Sequence, residues 1–100
     1  MNERPVPNAA LRDPAAVEML RVWVAEQQLH CSLKIGMYRD GMGADEELAW
    51  GTILADVARH IARALHPENE IEQSMALSKI RLRLNEELSV PSSDISGSFV

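Results

Sequence analysis

Aliphatic residues recur at every second position from Leu20 to Val24, with Arg21, Trp23 and Ala25 between them. That period of two is the mark of a half-buried strand, predicted here over residues 18–26. A second strand is predicted over 29–37, where Leu29, Cys31, Leu33, Ile35 and Met37 alternate with His30, Ser32, Lys34 and Gly36. A two-residue turn at Gln27 and Gln28 would set Val24 opposite Cys31, Val22 opposite Leu33 and Leu20 opposite Ile35, with every aliphatic pair on one side. The stretch "RDGMGAD" at 39–45 reads as a loop.

The period then changes. Trp50, Leu54, Val57, Ile61 and Leu65 follow one another at spacings of four, three, four and four, the stripe of an amphipathic helix. Asp45, Glu46 and Glu47 suit the positive end of its dipole, and Pro67 ends it. Asn69 followed by Glu72 resembles a capping box, so a second helix runs from there to about Leu88. It carries Leu77, Ile80, Leu84 and Leu88 on one stripe, with Ile71 and Met75 beside it. The fold class expected is α+β: an antiparallel β-hairpin followed by two α-helices packed on one face, the aliphatic one. That domain spans 17–88. Residues 1–16, with Pro5, Pro7 and Pro14, form a flexible N-terminal segment with at most a short turn. Residues 89–100 form a flexible Ser-rich tail whose Phe99 and Val100 can dock elsewhere.

Two stretches together, "LRVWVAEQQLHCSLKIGMY" and "AWGTILADVARHIARAL", resemble a family of small alphaproteobacterial proteins known as a domain of unknown function. The likeness covers roughly residues 15–65 and is carried by "LRVWVA", "LH" and "WGTILADVARHIA". It implies a compact α+β domain in a bacterial cytoplasm and brings no catalytic residues with it.

Composition narrows the function classes. A chain of 100 residues, 46% hydrophobic and 25% charged, is that of one ordinary globular domain. A folded part of about 70 residues buries only about 60% of its unfolded surface, which favours self-association, and a homodimer is expected. The formal charge of −5 argues against nucleic acid as a partner. Lone Cys31 suits a reducing cytoplasm, and there is neither a secretory signal nor a run of about 20 apolar residues to span a membrane.

The candidate chemistry is thin. Arg21, Trp23, His30 and Lys34, with Tyr38 at the margin, share the hairpin face opposite the aliphatic residues and are the candidate binding surface. In the expected register Arg21 lies opposite Lys34, a like-charge pair that calls for a carboxylate from a tail, an anionic ligand or a second subunit. Asp56 and His60, four apart on the first helix, form a rival site if His30 joins them as metal ligand or acid/base group. Their bland role is a helix-surface polar pair. Cys31 is expected to be structural, and "DGMGADEE" lacks the ligand spacing of a calcium loop. The sequence assigns no catalytic residue, metal ligand or cofactor. The expectation is a non-enzymatic homodimeric interaction or ligand-binding module, with an unknown protein or small molecule as partner. The alternative is a small metal-dependent or acid/base enzyme using His30, Asp56 and His60.

Overall fold

The computed structural model describes residues 2–92 and 99–100. In chain order they form α1 (Asn8–Arg12), β1 (Leu20–Ala25), β2 (Gln28–Leu33), α2 (Met37–Met42), α3 (Glu46–Leu65) and α4 (Glu70–Ser89). The architecture is α+β, an antiparallel hairpin followed by helices. The chain divides into a hairpin unit, which runs to Ile35 and includes Phe99 and Val100, and a helical unit that begins at Gly36.

In the hairpin the alternation holds as far as Leu33, where β2 ends short of the expected 37, so that Ile35 lies outside it and Met37 begins α2, and the register is slipped. Leu20 faces Leu33, Arg21 faces Ser32, Val22 faces Cys31, Trp23 faces His30 and Val24 faces Leu29. The turn is therefore Glu26-Gln27, not Gln27-Gln28. Both residues are left-handed, at φ 54° and 63°, as a tight type I′ hairpin turn requires. A slip of two residues leaves every side chain on its own face, which is why alternation alone could not choose between the registers. The slip also places Ser32 opposite Arg21 and removes the expected clash with Lys34. Lys34 instead donates its backbone N–H to Met19, one step beyond the strands.

Burial on the hairpin runs against expectation. Trp23 and His30 are half-buried, whereas Val24 at the turn end of the aliphatic face is 78% exposed. The outer edge of β2 is occupied by the chain itself. Val100 N–H donates to the Cys31 carbonyl at 2.9 Å, and Leu33 N–H donates to the Val100 carbonyl at 2.8 Å, beside a parallel bridge between Cys31 and Phe99. Sequence left open that those two residues dock, and here they do, while 93–98 lie outside the described residues.

The helical unit follows its local signals. The Asp45 side chain accepts from the Leu48 N–H and starts α3, and the Asn69 side chain accepts from the Glu72 N–H and starts α4. Caps of this kind contribute about 1 kcal/mol each. α3 and α4 pack on one another as a helical hairpin. Its one buried hydrophobic residue among those described is Ala62, 2% exposed. The stretch expected to be a loop, 39–45, is partly helical: α2 takes in Arg39–Met42, and left-handed Gly43 ends it.

Candidate functional site

The polar face of the hairpin is built by pairing. Trp23 and His30 are direct cross-strand partners, so indole and imidazole stand side by side on one face. His30 Nε2 lies 3.1 Å from the Ala25 carbonyl oxygen, which can only accept, so Nε2 carries the proton. Arg21 occupies the same face two residues from Trp23, and Lys34 continues it opposite Met19. Four of the five candidate residues therefore lie in the hairpin unit. Tyr38 belongs to α2 in the helical unit.

Arg21 is held by two carboxylates. Its Nε and one terminal nitrogen donate to the two carboxylate oxygens of Glu18 at 2.9 Å each, and Glu3 of the N-terminal segment lies 3.3 Å away. A carboxylate from a tail is thus one of the partners the cationic face receives. The Arg21 hydrogen bond and charge hold the Glu18 carboxyl below its ordinary range, and Glu18 in return holds the guanidinium above its own.

The N-terminal segment and β1 enclose a groove of about 610 Å³. Glu3, Pro5 and Val6 form one side, and Leu20, Val22 and Trp23 form the other. Leu20 and Val22 point to one face of the hairpin and Trp23 to the opposite face. A groove touching both runs along the strand edge, not across a face. Sequence reading missed this groove because nothing in a proline-rich segment announces where it will lie. The local signal was Glu3, a carboxylate placed to answer Arg21.

A second constellation organises the helical unit. Glu46, the first residue of α3, accepts from the backbone N–H groups of Gly36 and Tyr38 at 3.0 Å and of Arg39 at 3.1 Å. It also accepts from the Trp50 indole at 2.9 Å. Those backbone donors are the orphan N–H groups at the start of α2, so a carboxylate from one helix caps another. The Gly36 N–H bond leads in holding the Glu46 carboxyl below its ordinary range. Arg39, Trp50 and Tyr38 add to it, and partial burial opposes them. Buried Gly36 makes the arrangement possible, because its φ of 98° is left-handed.

Asp56 and His60, the helical members of the rival site, lie on α3 as expected, but Asp56 engages Arg59 at 3.0 Å. Among the described residues no three His, Cys, Asp or Glu side chains gather where they could hold a metal ion. Among them, too, no helix is long and apolar enough to cross a membrane.

A family model described as "Domain of unknown function (DUF5076)" matches residues 3–92, well beyond the 15–65 that carry the visible likeness. No protein of curated function matches the chain. Among solved structures, the chain is similar to one from the photosynthetic bacterium Rhodopseudomonas palustrus CGA009, at 27% identity and a TM-score of 0.67. The match covers 96% of this chain and 92% of that one. That structure bears the provisional name of a pyruvate dehydrogenase, a description of that protein alone.

Proposed function

The chain belongs to the DUF5076 family, and from that premise we propose that it acts as a homodimeric interaction module. The observation that carries the reading is the apolar stripe of α3. Leu54, Val57, Ile61 and Leu65 keep their helical spacing and are all exposed, and Leu84 and Leu88 of α4 are exposed as well. Exposed apolar residues in a continuous row are characteristic of an interaction surface. A second copy brings an identical row, and two helical hairpins joined face to face make the four-helix arrangement in which such stripes are buried. Cys31, the single thiol, is compatible with a reducing cytoplasm as its setting.

The test is a pair of variants, Leu54→Glu and Ile61→Glu, examined by sedimentation and circular dichroism. Both positions are exposed within the chain, so helicity should be retained while the dimer dissociates. A dimer indifferent to both charges would reject the α3 stripe as its contact.

A second reading draws on the groove beside Trp23: a small ligand held there between the N-terminal segment and β1, with Arg21 and Trp23 at its wall. Displacement of indole fluorescence by a ligand, lost in Trp23→Phe, would support it. The acid/base or metal enzyme draws less support, because Asp56 is already committed to Arg59.

A further inference from the structure

The outer edge of β2 is shaped by its pairing with β1. Residues whose backbone groups bond across the hairpin alternate with residues whose N–H and C=O point away from it. Cys31 and Leu33 are of the outward kind, and Val100 takes both the Cys31 carbonyl and the Leu33 N–H. Leu29, two residues before Cys31 on the strand, presents its groups in the same direction, which offers a longer extended segment another bonding position.

The side chains contribute little to this docking. Phe99 is 77% exposed and Val100 81% exposed. What is recognised is therefore extended backbone, and identical backbone from another molecule would be recognised equally well. Covalent tethering favours the chain's own segment through an effective concentration on the order of millimolar. A tethered segment stays docked only if its intrinsic dissociation constant lies below that concentration. The same segment supplied in trans should then bind below about 1 mM.

We propose that the outer edge of β2 is a strand-acceptor site, filled by the chain's own Phe99–Val100 and exchangeable for the same residues of a second copy. This goes beyond the dimer reading, does not require it and uses a different surface.

The experiment follows the Leu33 amide by NMR. Isotope-labelled Val100→Pro chain, which lacks the N–H that bonds Cys31, is titrated with the peptide Ser-Gly-Ser-Phe-Val. In separate titrations it receives unlabelled native chain and unlabelled Val100→Pro chain. The peptide and the native chain should both shift Leu33, the Val100→Pro chain should not, and labelled native chain should need at least about twofold more peptide. An unmoved Leu33, or equal peptide affinity for the native and Val100→Pro chains, would overturn the proposal. So would a response to peptide but not to native chain, since the occupant would then not be a second copy. A shift with Val100→Pro chain equal to that with native chain would overturn it as well, by tracing the effect to association elsewhere. The α3 variants do not touch this edge, so either proposal can fail while the other stands.

Discussion

The Trp50 indole N–H donates to the Glu46 carboxylate at 2.9 Å, one turn apart on α3, and that same carboxylate closes the start of α2. Both helices thus direct their positive ends at one negative charge. The bond to Trp50 fixes the rotamer that lets Glu46 reach back to Gly36, Tyr38 and Arg39.

Acid should undo this node. The folded-state carboxyl is held below its ordinary value of 4.5, so ionised Glu46 contributes its full stabilisation above that value. The contribution is lost as pH falls through the lowered value. Glu46→Gln should release α2, alter Trp50 fluorescence and flatten this part of the acid dependence. Urea unfolding of both chains between about pH 3 and pH 6 checks it. Parallel pH curves would contradict the assignment.

The strained hairpin turn offers a gain. Glu26 and Gln27 both adopt left-handed backbone, which costs an ordinary residue roughly 1–2 kcal/mol. Glu26→Asn combined with Gln27→Gly supplies the residues that such a turn prefers. A stability increase of about 1–2 kcal/mol is expected in urea melts.

Two glycines five residues apart should respond with opposite signs. At Gly36 a new Cβ would meet an Asp40 carboxylate oxygen at 2.8 Å, and φ is left-handed. Gly36→Ala should cost at least about 1–2 kcal/mol. Gly41 lies within α2, where an added Cβ meets nothing within 4 Å, so Gly41→Ala should gain roughly 0.5–1 kcal/mol. Thermal melts of the two variants decide the matter.

Glu3→Gln should leave global stability nearly unchanged, because Arg21 keeps Glu18 and exposed ion pairs contribute little. It should nonetheless loosen the N-terminal segment over the groove. Faster proteolysis of that segment and stronger acrylamide quenching of Trp23 are the expected readings.

Sequence alone resolved what local chemistry controls. The start of α3 near Asp45, the cap at Asn69 and the stop near Pro67 each depend on neighbouring residues and are found as read, and the alternation along β1 holds although burial does not follow it. Features set at a distance were not legible. α2 was hidden because Gly41 and Gly43 look like a loop and its cap, Glu46, arrives from the next helix. The register was hidden because a two-residue slip preserves alternation. Trp23 shares its groove with an N-terminal segment whose position only Glu3 and Arg21 hinted at. For the candidate surface, sequence grouped Arg21, Trp23, His30 and Lys34 on one face but gave no view of the groove at the strand edge.

Self-association through the exposed α3 row is decided by sedimentation equilibrium of the native chain over a wide concentration range. A species of twice the 11.1 kDa chain mass is expected, returning to single mass in Ile61→Glu. A native chain that sediments at 11.1 kDa at every concentration would contradict it.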